Sequence, residues 1–235
     1  MFKILKKLFK KNKYPDLPLA TKRTLKNLAA RNMSIATIID IGASDGRWSV
    51  QARDVWPDAK FHLIEANNYH QPLLEKLSKN DHSFSYSLAA AGRADGVIYF
   101  DESDPFGGRA FNSSEGVTNN LAKVKQVSVD AEIQRLNLKG PYLIKLDTHG
   151  YEVPILEGAI NALKDTELVI LETYNFQQGP EGLLFYEMCA YMHKLGFRVI
   201  DISEPLWRKK DGAFWQIDIF FIKESRPEFD NNEWV

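Results

Sequence analysis

The stretch Ile38-Ile39-Asp40-Ile41-Gly42-Ala43-Ser44-Asp45-Gly46 decides the fold. An apolar run ends in an acid, and a glycine-bearing turn then opens a helix, the layout of a first parallel strand and its nucleotide-binding loop. A dinucleotide loop needs G-x-G-x-x-G so that backbone can approach a pyrophosphate. Here the central glycine is missing, because the order is Gly42, Ala43, Ser44, Asp45, Gly46. Asp40 and Asp45 flank the turn and would repel a phosphate, whereas they suit a ligand with an ammonium or sulfonium group. S-adenosylmethionine carries both and no phosphate. The loop therefore predicts a binding site for this cofactor around Asp40, Gly42, Ala43, Ser44, Asp45 and Gly46. Two alternatives stay open: a binding protein of the same fold without catalysis and, more weakly, an NAD-dependent oxidoreductase.

Working outward, the hydrophobic pattern alternates strand and helix. A helix is expected over 24–32, a strand over 37–41, a helix from about 45 to 55 stopped by Pro57, a strand over 60–65, a helix over 69–79 and a strand over 83–90. Residues 91–129 break the rhythm, with strands expected at 97–100 and 125–129 around a Gly/Ser/Asn-rich insertion at about 104–120. A long loop of that kind inside a compact domain suits a substrate-side role, and Arg109 within it is a candidate for an anionic acceptor. Alternation resumes with a helix over 130–136, a strand over 142–147, a helix over 153–163, a strand over 168–172 and a helix over 182–195. The last two strands, 198–202 and 215–222, are too close in sequence for a helical crossover and must pair antiparallel. The pattern predicts an α/β fold whose sheet is mostly parallel with a terminal antiparallel hairpin, an arrangement that separates methyl-donor domains from the all-parallel dinucleotide fold.

In an open parallel sheet, ligands sit beyond the carboxyl ends of the strands. Those ends carry Asp40, Glu65, Ser87, Asp147 and Glu172, four of them acids, so the expected site favours a cation. Glu65 lies 19 residues after Gly46, the spacing at which an acid accepts hydrogen bonds from both ribose hydroxyls, with Ala66 and Asn67 beside the adenosine. Asp147 should face the methyl-donor end of the cleft, and Glu172 a substrate hydroxyl. His149 is the best candidate base, because histidine titrates near neutral pH and can take a hydroxyl proton as the methyl arrives. Glu152 suits the start of the next helix as a cap. The remaining histidines are scattered and suggest no metal-ligand set.

Composition bounds the partners. At 235 residues with 44% hydrophobic and 26% charged, the chain is long enough for one α/β domain with a full core. The single cysteine, Cys189, excludes an internal disulfide and suits a reducing, cytoplasmic compartment. Residues 1–31 hold ten of the 30 Lys/Arg against one acid, Asp16, which leaves the rest at about −10. A body that acidic is a poor match to a nucleic-acid backbone. Within residues 1–14, Phe2, Leu5 and Phe9 share a helical face opposite lysines. The pattern fits a helix, residues 1–13, lying on the anionic inner face of a membrane. The expected organisation is that segment followed by one domain over 15–235.

Taken together, Ile39–Gly46, Leu63-Ile64-Glu65 and above all Leu143-Ile144-Lys145-Leu146-Asp147-Thr148-His149-Gly150-Tyr151-Glu152-Val153-Pro154-Ile155-Leu156-Glu157-Gly158-Ala159 resemble the FkbM family of S-adenosylmethionine-dependent methyltransferases. The resemblance runs from about residue 37 to 175 and does not cover the first 14 residues or the 104–120 insertion. It implies the seven-stranded, Rossmann-like class I methyltransferase fold and O-methylation, commonly of a sugar or natural product, and the basic N-terminus adds the expectation of a lipid-linked glycan. Members often carry a smaller or amide residue where His149 stands, so the resemblance itself assigns no catalytic histidine.

Overall fold

The computed structural model describes residues 19–113 and 121–234. The basic segment 1–14 and part of the insertion, 114–120, lie outside the described residues, so the membrane-surface expectation has no structural counterpart here. Among the described residues, no helix is long and apolar enough to cross a membrane.

Seven strands form the main sheet: β1 (Thr37–Ile41), β2 (Lys60–Glu65), β3 (Phe84–Leu88), β8 (Tyr142–Leu146), β9 (Thr166–Tyr174), β10 (Phe197–Trp207) and β11 (Phe214–Lys223). Their order is β10-β11-β9-β8-β1-β2-β3. Strands β3, β2, β1, β8 and β9 pair in parallel, while β11 runs antiparallel to both β9 and β10. The expected terminal hairpin is present, and its second strand inserts between the first and the rest of the sheet. The order reverses beside β1, which places the switch point of the sheet at the glycine loop.

Alternation along the strands sends residues to opposite faces. On one face Ile39, Ile41, Ile144, Leu146, Val169 and Leu171 pack beneath α5 (Glu152–Glu157) and α6 (Phe185–Lys194). On the other, Ile38, Leu143, Leu168 and Phe220 meet α1 (Leu19–Ala29), α2 (Arg47–Ala52) and α3 (Gln71–Asn80) through Leu25, Trp48 and Leu74. Each fully buried Leu, Ile or Phe of this kind stabilises by about 1.5–3 kcal/mol. The second face changes character toward the carboxyl ends, where Asp40, Lys145, Asp147, Glu172 and Asp218 continue the same rows.

Residues 91–129 build a second sheet that the sequence shows only as two strands. It contains β4 (Ala90–Ala91), β5 (Gly96–Asp101), β6 (Arg109–Phe111) and β7 (Leu121–Val127) in the order β4-β7-β5-β6, and it packs through Ile98, Phe100 and Val127 on the first face. The strand expected over 83–90 therefore divides: β3 stays in the main sheet, and the buried alanines 89–91 carry the chain across to pair with β7. The helix expected over 153–163 stops early, at Glu157. Gly158 lies so close to the chain at Gly92 that a Cβ there would sit 2.0 Å from its carbonyl oxygen. A short 3-10 turn, Ala162–Asp165, follows. Glu152 does act at the start of α5, accepting from Gly150 N (2.9 Å) and Thr148 Oγ1 (3.1 Å).

Candidate active site

A cavity of about 430 Å³ opens beyond the carboxyl ends of β1, β2, β8 and β9 and beside the amino-terminal half of the antiparallel β11. Its walls include the loop residues Gly42, Ala43, Ser44 and Asp45, then Glu65, Ala66 and Asn67, and on the far side Asp147, His149 and Glu172. The fold thus brings ten of the residues expected from the sequence to one cavity, with Lys145 and Asp218 beside them.

The loop is shaped by backbone. Gly42 has φ +70°, and an added Cβ would lie 2.0 Å from the Asp147 carbonyl oxygen, so only glycine lets β1 and β8 come this close at the cleft. Ser44 also adopts a left-handed conformation, φ 51°, which aims its N–H at the Glu65 carboxylate (2.7 Å). The other Glu65 oxygen accepts from Asn67 N at 2.6 Å. Two backbone donors hold this acid in place, and a carboxylate keeps further lone pairs for a ligand. Burial pushes the Glu65 carboxyl above its ordinary range, against the pull of those backbone bonds.

Five residues singled out in the sequence, Asp40, Asp45, Gly46, Ser87 and Arg109, have surroundings other than those expected. Asp40 is fully buried and does not reach the cavity: Ser49 Oγ donates to it (2.7 Å) and Lys145 Nζ stands 3.3 Å away. Asp45 lines the wall but is held by its neighbour, with Arg47 Nε at 3.0 Å and Nη2 at 2.5 Å. The two acids that gave the loop its cationic preference are therefore both matched within the protein. Gly46 faces away from the cavity, toward Leu63, Leu74 and Leu77. Ser87 is also absent from the cavity wall; its hydroxyl donates to the Glu132 carboxylate at 2.5 Å, beside the buried His62. That end of the wall is formed by Ala89 and Ala90 instead. Arg109 of the insertion donates to Gln178 (2.8 Å), outside the cavity.

The remaining acids of the cavity lie at β8, β9 and β11. Lys145 Nζ contacts Asp147 Oδ2 at 3.2 Å as well as Asp40, and Asp218 and Glu172 face each other across the β9–β11 register. Burial works against the Lys145 charge, but Asp147 and Asp40 outweigh it and raise its pKa. Burial works likewise against Asp147, yet Lys145 holds that carboxyl below the usual range. Glu172 moves the other way: burial and then the Asp147 charge push it well above the ordinary value. Burial followed by Asp147 pushes Asp218 up to about 7. Tyr174 Oη and Gln216 Nε2 each donate to Glu172, one to each oxygen, and fix its plane.

His149 joins this group from the turn after β8, where it has φ 53°. Its Nδ1 donates to the Gly108 carbonyl oxygen at 3.3 Å, since a carbonyl can only accept. Its Nε2 lies 3.7 Å from Asp147 Oδ1 and 3.6 Å from Glu172 Oε2. Asp147, His149 and Glu172 bring three possible ligand atoms within 4.8 Å of one another. Lys145 and Asp218 are the residues that sequence reasoning missed. Lys145 sits two before Asp147 in an apolar strand, so alternation alone puts it on the same face. Asp218 needed the β9–β11 register.

The profile of the methyltransferase FkbM domain matches residues 40–199, more than half of the chain. The chain belongs to the FkbM methyltransferase family. Its fold is that of class I methyltransferases. The chain is similar to the fibrillarin pre-rRNA processing protein of Methanococcus jannaschii, with TM-score 0.51 and 13% identity over 84% of this chain and 74% of that one. It is also similar to a Klebsiella pneumoniae protein assigned as an O-methyltransferase, with TM-score 0.50 and 13% identity over 89% and 82% of the two chains. At such identities the likeness is one of fold. No curated protein matches the sequence. Membership of the FkbM family and the fold together support methylation dependent on S-adenosylmethionine.

Proposed function

We propose that this FkbM-family chain moves a methyl group from S-adenosylmethionine to a hydroxyl of a sugar or similar small acceptor. The observation that carries the reading is the two-sided cleft, with Glu65 on a glycine-loop wall and the Asp147–His149–Glu172 group opposite. Glu65 would accept from the ribose hydroxyls, with Ala66 and Asn67 beside the adenosine. Gly42, Ala43 and Ser44 would bring backbone close to the methionine portion, and Asp147 would face its charged end.

In the transfer the acceptor oxygen attacks the methyl carbon, an O–C bond forms and the C–S bond breaks toward neutral S-adenosylhomocysteine. The sulfonium is already activated, so alignment of oxygen, methyl and sulfur is the protein's main task. The hydroxyl proton must leave in the same step. In the metal-free cleft His149 Nε2 carries the lone pair to receive it, because Nδ1 is committed to Gly108, and the flanking carboxylates stabilise the imidazolium that results. The alternative, binding without turnover, shares the donor wall and differs only opposite it.

The test is calorimetric titration with S-adenosylhomocysteine, with NAD in parallel. Micromolar affinity for the former, weakened ten- to a hundredfold by Glu65→Ala, is expected from the loss of hydrogen bonds to a charged acceptor, worth about 1.5–3 kcal/mol. Preference for NAD, or unchanged affinity in the variant, would remove the assignment of the donor wall. Donor binding without turnover on any hydroxyl acceptor would favour the non-catalytic alternative.

A further inference from the structure

We propose that Asp147, His149 and Glu172 form a binding site for a divalent cation, which holds the acceptor hydroxyl in the cleft. The argument begins with the lone pairs. The Nδ1–H of His149 is spent on the Gly108 carbonyl, so the neutral ring turns the Nε2 lone pair toward two carboxylates, 3.7 and 3.6 Å away. Neither carboxylate oxygen can donate when ionised. The three donor atoms converge on one point, which a cation would occupy in place of the hydrogen bond between Asp147 and Glu172. A second ring nitrogen bonded to a backbone carbonyl is also the arrangement that fixes the tautomer and the aim of a metal-ligating histidine.

The separations fit. Donor atoms each about 2.1 Å from one ion lie roughly 3–4 Å apart in tetrahedral or octahedral geometry, and these three lie within 4.8 Å of one another. The supporting contacts fit as well. Tyr174 and Gln216 orient Glu172, and Lys145 holds the other oxygen of Asp147 at 3.2 Å, leaving Oδ1 toward His149. Charge points the same way: Lys145 spans Asp40 and Asp147, while Glu172 and Asp218 add two further acids beside Asp147. Two carboxylates and one imidazole are donors that Mn²⁺ accepts.

Three protein ligands leave positions open for water and for an acceptor oxygen. Only this last role rests on the methyl-transfer reading. With the ion bound, Nε2 is a ligand rather than a base. The acceptor O–H, polarised by the ion, loses its proton to the Asp218 carboxylate that lines the same cavity, and the oxygen then takes the methyl carbon as the C–S bond breaks.

The test is titration of the chelator-treated full chain with Mn²⁺, followed by electron paramagnetic resonance of the free ion and by calorimetry, beside a titration with S-adenosylhomocysteine. One Mn²⁺ site is expected, weakened tenfold or more by His149→Ala and by Glu172→Gln. The surface variant His193→Ala should leave it unaltered. S-adenosylhomocysteine binding and the circular-dichroism melt report whether each variant is folded, and the two ligand variants are independent of each other in that respect. Absence of Mn²⁺ binding, or equal binding in folded His149→Ala, would overturn the site while leaving the donor reading intact. Mn²⁺ binding without S-adenosylhomocysteine binding would support the site and remove the donor reading.

Discussion

On the β2 side of the cleft one carboxylate, Glu65, is gripped by two backbone N–H groups. On the β8–β11 side four carboxylates crowd together, and Lys145 pairs with two of them, Asp40 and Asp147. Backbone donors cost little to position, because Ser44 and Asn67 are fixed by the loops they belong to. They hold one acid in a defined plane without neutralising it. The crowded side is under-compensated instead, so its acids move apart in pKa: Asp147 falls while Glu172 and Asp218 rise. A lone, oriented acid suits recognition of a neutral diol such as ribose. A crowded group suits the handling of a proton or a cation.

The comparison can be tested hardest at Lys145. Its replacement by Ala should cost about 3–5 kcal/mol, because fully buried Asp40 is left without a counter-charge. Urea denaturation measures this, and a loss below about 1 kcal/mol would show that Asp40 and Asp147 do not depend on one ammonium.

Asp218 gives a smaller, pH-dependent effect. Its folded pKa of about 7 lies above the ordinary aspartate value, so the folded state holds a proton that the unfolded chain releases. Stability contributed by this group is present in full below about pH 4 and declines as the pH rises to about 7. Asp218→Asn should therefore gain on the parent more at pH 8 than at pH 5. Equal urea midpoint differences at the two pH values would mean that Asp218 is not part of the under-compensated group.

The smallest effect on ligand affinity is expected at Ser87, which stands outside both walls. Ser87→Ala removes a donor from buried Glu132, whose carboxyl is held far below its usual range, against burial, by His62, Arg135 and Ser87. Stability should fall by about 2 kcal/mol, with S-adenosylhomocysteine affinity unchanged within twofold. A tenfold loss of affinity would return Ser87 to the donor wall.

The sequence by itself determined the main sheet and one wall of the cleft. The strands at 37–41 and 60–65 are present at those bounds, since buried parallel strands read as short apolar runs between breakers. Glu65, Asp147 and Glu172 were legible because the ligand cleft of such a sheet lies beyond the carboxyl ends of its strands. Only the tertiary structure decided the partners of those acids. Asp40 and Asp45 look free in one dimension, yet Lys145, about a hundred residues from Asp40, and Arg47 match them. Charge compensation depends on register between strands far apart in the chain, and local patterning carries no record of it. The small sheet escaped for the same reason. Its short strands are stable only against the face built by β1, β8 and β9, and His149 meets its carbonyl partner, Gly108, only once that sheet has packed.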